Sequence, residues 1–130
     1  MTETRPNIFP ALRYRNANAA IEWLKEALGF EEKAVYRGDD GTVQHAELKL
    51  GAGIVMLGEH RDDGLVPSDG KAATYVVVDD PQALYERARA AGVEVARELA
   101  EMDYGSREFS VRDPAGNLWS FGTYDPYAAG

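Results

Sequence analysis

The stretch at residues 113–122, with the sequence DPAGNLWSFG, contains a turn followed by an alternating strand. Proline at its second position fixes φ at about −65°, and either Gly116 or Asn117 tolerates a positive φ, so the chain reverses here. Beyond the turn, side chains alternate with a period of two, which places Trp119 and Phe121 on one face and Ser120 and Gly122 on the other. The segment predicts a final strand with one bulky aromatic face and one small, pocket-like face.

Length and composition restrict the class of protein. A chain of 130 residues predicts one domain with a sizeable core. The formal net charge of -8 disfavours nucleic acid and anionic membranes as partners, and the absence of cysteine excludes disulfides, zinc-thiolate sites and cysteine nucleophiles. No basic segment leads into an apolar run near the start, and no long apolar run occurs. We expect a soluble cytoplasmic protein without nucleic-acid or membrane partners.

The first half of the chain predicts the element order β-α-β-β-β. Apolar residues recur at helical spacing between an asparagine that can cap and Gly29, which can end the helix. Runs rich in β-branched and aromatic residues, separated by glycine turns, predict the strands. The predicted elements are a strand at 7–15, a helix at 19–30 and strands at 32–37, 42–50 and 54–58.

The second half repeats this order after a polar stretch at residues 59–71, which predicts a linker. The predicted elements are a strand at 73–78, a helix from Pro81 to Gly92 and strands at 93–98, 107–112 and 118–123. A repeated order of elements is typical of an internal duplication. We therefore divide a single domain, residues 1–130, into module one at about 7–58, a linker at 59–71 and module two at about 72–124.

This order, together with the Asp-Pro-x-Gly-Asn turn at residues 113–117, resembles the vicinal oxygen chelate superfamily over essentially the whole chain. That superfamily comprises glyoxalase I, the bleomycin-resistance proteins and the extradiol dioxygenases. The resemblance implies an α+β fold in which two βαβββ modules form a curled mixed sheet around a central cavity, with the helices on its outer face. It also implies a homodimer.

The resemblance further implies where a metal ion would be held. Metal-dependent members bind a divalent ion with one side chain from the first and one from the last strand of each module, and these positions fall at Phe9, Met56, Ala73 and Ser120. Zinc, nickel, manganese and iron need imidazole nitrogen or carboxylate oxygen at about 2.0–2.2 Å. We therefore expect no metal site and no cofactor, which argues against metal-dependent glyoxalase activity.

Strand parity predicts the lining of the cavity, because alternate side chains face opposite sides. The predicted ligand-binding residues are Phe9, Ala11, Arg13, Met56, Ala73, Tyr75 and Ser120. Such an aromatic, methionine-containing lining with few polar anchors is typical of a small-molecule site, although Arg13 could equally form a surface ion pair. The leading hypothesis is a metal-free binding protein of the bleomycin-resistance type that encloses a hydrophobic or aromatic ligand between two modules or two subunits.

The alternative is an enzyme. His45 and Glu47 lie two residues apart on the third strand and share a face, which is compatible with acid-base chemistry or half of a metal site. A lyase, isomerase or dioxygenase could use this pair, or displaced metal ligands such as His45, Glu47 and His60. The plainer interpretation makes the pair the polar side of a solvated strand and His60 a solvated loop residue. A small subunit or regulatory module with an empty cavity is a third alternative.

Overall fold

A computed structural model describes residues 6–128, and these divide into two compact units between Asp69 and Gly70. The elements of the first unit are β1 (Ala11–Tyr14), α1 (Ala17–Leu28), β2 (Glu31–Arg37), β3 (Val43–Leu50) and β4 (Gly53–Glu59). They form a four-stranded sheet of order β1-β4-β3-β2 in which β1 runs parallel to β4. The remaining neighbours in this sheet are antiparallel.

The second unit repeats this topology. Its elements are β5 (Ala73–Val77), α2 (Pro81–Ala90), β6 (Glu94–Glu101), β7 (Arg107–Arg112) and β8 (Leu118–Gly122). The sheet order is β5-β8-β7-β6, again with a parallel pair, β5 and β8, at one side. The predicted α+β class with two βαβββ modules is confirmed. Within residues 6–128, no helix is long and apolar enough to cross a membrane.

The ends of most strands differ from the sequence-based prediction by one residue, whereas β1 and β6 each differ by three or more residues at one end. The first strand begins only at Ala11, because Pro10 has no N–H to donate, although its carbonyl accepts a hydrogen bond from Met56 N at 2.9 Å. Conversely, β6 extends to Glu101 because a tight hairpin, closed by Met102 N donating to Ser106 O at 2.7 Å, keeps it paired with β7.

Both helices begin after a side-chain cap, and α1 begins two residues before its predicted start at residue 19. Asn16 Oδ1 accepts from Ala19 N at 3.1 Å, and Asp80 Oδ1 accepts from Ala83 N at 3.1 Å, so each side chain satisfies an otherwise unpaired N–H. Gly29 ends α1 in the left-handed region with φ of 79°. The caps fix where each helix begins on its sheet.

Each helix packs on one face of its own sheet, and that face is apolar. Helix α1 contacts β1, β3 and β4, while α2 contacts β6 and β7. In the second unit the Phe109 ring lies 5.2 Å from that of Tyr85 on α2 and 5.2 Å from that of Phe121. Trp119 and Val111 are also fully buried. The alternate residues of the same strands therefore lie on the sheet face that the helix does not cover.

The turn before β8 is organised by the carboxylate of Asp113, which is only 5% exposed. Its Oδ1 accepts from Ala115 N at 3.0 Å and Asn117 N at 2.9 Å, and its Oδ2 accepts from Asn117 Nδ2 at 3.0 Å and Trp119 Nε1 at 3.1 Å. Gly116 adopts φ of 101°, as predicted for this position. Asn117 in turn accepts from Ala72 N at 3.0 Å, which connects the turn to the start of β5.

Replacing this carboxylate should destabilise the protein strongly. Asp113→Asn puts an NH₂ donor where an acceptor oxygen faces buried N–H groups, so we expect the free energy of unfolding to fall by about 2–4 kcal/mol. Urea denaturation measures the change. Asp39→Asn, at an exposed carboxylate in the β2–β3 turn, is the control and should stay within about 0.5 kcal/mol of the parent. Equal effects of the two changes would contradict a structural role for Asp113.

Candidate functional site

An open depression of about 650 Å³ lies on the second unit, on the sheet face away from α2. Strands β5, β7 and β8 form its floor, and the β6–β7 hairpin and the segment after β8 form its rim. The lining residues are Ala73, Thr74, Tyr75, Arg97, Tyr104, Glu108, Ser120 and Tyr124. We call this depression the second-sheet pocket.

Tyr75 and Ser120 lie side by side on the floor of the pocket. They are directly opposite each other in the parallel pair β5–β8, and Ser120 is opposite Ser110 on β7, with the two serine Oγ atoms 2.7 Å apart. The Tyr75 hydroxyl donates to the carbonyl of Tyr124 at 2.8 Å. Burial raises the pKa of the Tyr75 phenol, and the negative charge of Glu108 raises it further, so the phenol stays protonated at neutral pH.

Glu108 is a buried carboxylate beside this floor, with a side chain only 6% exposed. Its Oε1 accepts from the Tyr104 hydroxyl at 2.8 Å, and Nη2 of Arg97 lies 3.6 Å from the same oxygen. The hydrogen bond to Glu108 raises the pKa of the Tyr104 phenol, which therefore remains a donor. The pocket thus holds one buried carboxylate among phenol groups.

Two irregularities in strand pairing bring Arg97 to the pocket. The register of β6 against β7 shifts on both sides of Arg97, between Val95 and Arg97 and again between Arg97 and Ala100. Such bulges turn a side chain away from regular alternation and commonly occur beside functional sites. Arg97 remains 52% exposed, so it sits at the rim of the pocket whereas Glu108 lies inside it.

The structure brings together three of the predicted ligand-binding residues, Ala73, Tyr75 and Ser120, in the second-sheet pocket. The other four lie in the first unit. Ala11 on β1 is directly opposite Met56 on β4, and Phe9 is exposed just before β1. Arg13 covers Gly58, where an added Cβ would lie 2.7 Å from Arg13 Nη1. That the two groups share one cavity stays a prediction.

A family model described as the Glyoxalase/Bleomycin resistance protein/Dioxygenase superfamily matches residues 9–121. The chain belongs to this superfamily. The uncharacterized protein Mb0911c of Mycobacterium bovis is 31% identical over 128 residues, which cover 90% of this chain and 82% of that protein. Rv0887c of Mycobacterium tuberculosis, also uncharacterized, has the same identity, with 74% of its length covered.

Solved structures of the superfamily share the fold. The crystal structure of TioX from Micromonospora sp. ML1 is 30% identical with a TM-score of 0.78, covering 90% of this chain and 97% of that one. A glyoxalase/bleomycin resistance protein/dioxygenase from Nocardioides covers 100% of this chain and 93% of its own, with 22% identity and a TM-score of 0.67. At 22% identity, the similarity to the Nocardioides protein shows a shared fold and nothing about function.

The residues at the positions where the resemblance places a metal ion, Phe9, Met56, Ala73 and Ser120, do not fit a divalent ion. The two units place these positions in the same way. In the first unit Met56 is opposite Ala11, two residues after Phe9. In the second unit Ser120 is opposite Tyr75, two residues after Ala73. The only metal-ligand donors at these four positions are the thioether of Met56 and the hydroxyl of Ser120, which forms a hydrogen bond with Ser110. Within residues 6–128, no three His, Asp or Glu side chains converge into a metal-binding group.

His45 and Glu47 do contact each other on the open face of the first sheet. His45 Nε2 lies 2.9 Å from Glu47 Oε2, and Lys33 Nζ lies 3.4 Å from Glu47 Oε1. The hydrogen bond from His45 and the neighbouring Lys33 lower the pKa of Glu47. A lowered pKa makes this carboxylate a weaker base, so the contacts favour a charged surface cluster over an acid-base pair.

His60 is more enclosed than a solvated loop residue. Its Nδ1 lies 2.8 Å from Ser68 Oγ, and its Nε2 lies 2.8 Å from Asp62 Oδ1. Ser68 is buried, whereas Asp62 is almost fully exposed. The imidazole therefore joins two parts of the segment between β4 and β5, and both of its nitrogens are engaged within that segment.

Glu108 and Arg97 line the pocket but are not among the residues predicted from the sequence. The signal for Glu108 was present, because β7 reads REFSVR and the burial of Phe109 and Val111 against α2 places Glu108 and Ser110 on the opposite face. Arg97 gave no such signal, since the register shifts that turn it toward the pocket interrupt the alternation from which parity is read.

The close approach of side chains in the pocket requires Gly122. A Cβ added there would clash with Cγ of Glu108 and lie 2.8 Å from the Tyr75 hydroxyl oxygen. We expect Gly122→Ala to lower the free energy of unfolding by about 1–3 kcal/mol, because an inserted methyl overpacks the site. Thermal or urea denaturation measures the loss.

Gly53→Ala is the matched control, because its added Cβ meets only Leu50 O at 3.5 Å, an ordinary contact. Amide chemical shifts of residues 75 and 108 should move in Gly122→Ala and stay in place in Gly53→Ala. Equal stability of the two variants would contradict the packing described for the pocket.

Proposed function

We propose that this chain is a small-molecule-binding member of its superfamily that works without a metal ion, and that the second-sheet pocket holds an apolar or aromatic ligand. The observation that carries the proposal is the pocket itself, with Ala73, Tyr75 and Ser120 on its floor and the rings of Tyr104 and Tyr124 at its rim. Its volume of about 650 Å³ lies within the range of about 300–1,000 Å³ usual for ligand sites.

The lining supports binding of a flat, apolar molecule. Tyrosine rings supply large, rigid contact area at little cost in side-chain entropy, and three of them surround this pocket. The Tyr104 and Tyr124 rings meet edge to face, with centroids 6.2 Å apart and planes at 87°. A ligand ring can stack on this frame while a few polar groups orient it.

The superfamily's description spans both enzymes and resistance proteins, so membership alone leaves either function open. The donors at the metal positions favour binding, because a thioether and a serine-paired hydroxyl cannot replace imidazole and carboxylate as ligands of a catalytic divalent ion. Binding by itself needs shape and apolar surface, which the pocket offers.

A panel of neutral aromatic fragments that includes tryptophol tests the proposal by ¹H–¹⁵N chemical-shift titration. We expect at least one fragment to shift the amides of residues 73–75 and 120 with a Kd on the order of 1 mM, as about 0.3 kcal/mol per heavy atom implies. Ala73→Trp should weaken binding at least about tenfold by filling the floor. Asp39→Trp, in an exposed turn of the first unit, is the control and should leave binding unchanged.

Metal dependence is tested on the same samples. Protein purified without a histidine tag should contain no stoichiometric nickel, zinc, manganese or iron, and EDTA should leave the titrations unchanged. Stoichiometric metal would contradict the proposal and support the alternative of a lyase, isomerase or dioxygenase with displaced ligands. Failure of the whole panel to shift the pocket amides would also contradict it.

A further inference from the structure

Glu108 differs from the other deeply buried carboxylate of this unit, Asp113. Both oxygens of Asp113 accept hydrogen bonds, and its role in the turn is thereby complete. Glu108 accepts through Oε1 alone, from Tyr104, while its Oε2 takes no hydrogen bond from any residue between 6 and 128. A buried carboxylate normally satisfies both oxygens, because an unmet acceptor costs free energy.

The free oxygen is accessible from the pocket. The described residues include no sealed side-chain oxygen that lacks a partner, so Oε2 of Glu108 keeps contact with open space, and Glu108 is one of the residues that line the pocket. A carboxylate can only accept hydrogen bonds, so its partner in a ligand must be a donor. A cationic donor is favoured, because a charge-assisted hydrogen bond is about twice as strong as a neutral one.

The surroundings also favour a cation. Tyrosine faces attract ammonium groups, and Tyr75, Tyr104 and Tyr124 all border the pocket. Arg97 is the cation already present, but it lies 3.6 Å from Glu108 and is half exposed, so a weak, solvated contact holds it there. A ligand ammonium can therefore take over the carboxylate as Arg97 turns toward solvent.

We propose that Glu108 is the anchor for a protonated amine carried by the aromatic ligand, and that Arg97 competes with that amine for the carboxylate. This rests on the proposed binding function of the second-sheet pocket. The ligand class is an aromatic amine. Its ring would stack on Tyr104 and Tyr124, and its ammonium group would donate to Oε2 of Glu108.

Three probes that share an indole ring and differ in charge test this inference in the wild-type chain at neutral pH. They are tryptamine, which is protonated, tryptophol, which is neutral, and indole-3-propionate, which is anionic. We expect tryptamine to bind about tenfold more tightly than tryptophol, and indole-3-propionate to bind most weakly. Chemical-shift titration gives each Kd.

Two variants then remove one partner each of the Glu108–Arg97 pair. Glu108→Gln should bind tryptamine and tryptophol equally, whereas Arg97→Ala should bind tryptamine about threefold more tightly than the parent and tryptophol unchanged. Opposite effects of the two changes are expected only if the carboxylate binds the amine. A purely structural ion pair would make both variants bind every probe more weakly.

The outcomes separate this inference from the function on which it rests. Tryptophol binding without any preference for tryptamine in the wild-type chain would overturn the amine anchor and leave the binding function in place. Preference for indole-3-propionate would assign the anchor to Arg97 and overturn the inference. Absence of pocket shifts with all three probes would overturn the amine anchor, and the binding function would fall with it only if the whole fragment panel also left the pocket amides unshifted. The comparison of the three probes needs no variant that could fail to fold.

Discussion

The hydrogen bonds that the buried carboxylate of Asp113 accepts are the interactions on which the second unit depends. The carboxylate accepts hydrogen bonds from N–H groups of its own turn and from the indole N–H of Trp119. These bonds hold the turn and the first buried side chain of β8 in place together. Through Asn117 the same network reaches Ala72 and sets where β5 begins beside β8. The pairing of these two strands then places Tyr75 opposite Ser120 and so builds the floor of the pocket.

The pocket follows from alternation once this strand is in register. Trp119 and Phe121 are buried against the helix side, which turns Ser120 and Gly122 to the other face, and Phe109 does the same for Glu108 on β7. The missing side chain of Gly122 provides the space in which Glu108 and Tyr75 approach each other. The same strands therefore form both the core and the pocket, with alternate residues on opposite faces.

The features of the fold that depend on a local sequence pattern can be predicted from the sequence. The turn at 113–117 and the two faces of β8 depend only on short stretches of sequence, and both are found as predicted. The position of Arg97 depends on register shifts between β6 and β7, which arise from pairing with a distant strand and leave no periodic signal. Likewise the sequence predicts His60 only as a displaced metal ligand or a solvated loop residue, because its partner Ser68 meets it only when the segment between β4 and β5 folds back.

The two buried carboxylates of the second unit differ, since both oxygens of Asp113 accept hydrogen bonds within the fold, whereas in Glu108 only Oε1 accepts one from residues 6–128. Intermolecular nuclear Overhauser contacts to bound tryptamine test this account most directly. It predicts contacts from the indole ring to the Ala73 methyl group, and from the methylene beside the ammonium group to the Glu108 side chain. Contacts confined to residues outside the pocket, with none to Ala73 or Glu108, would contradict it.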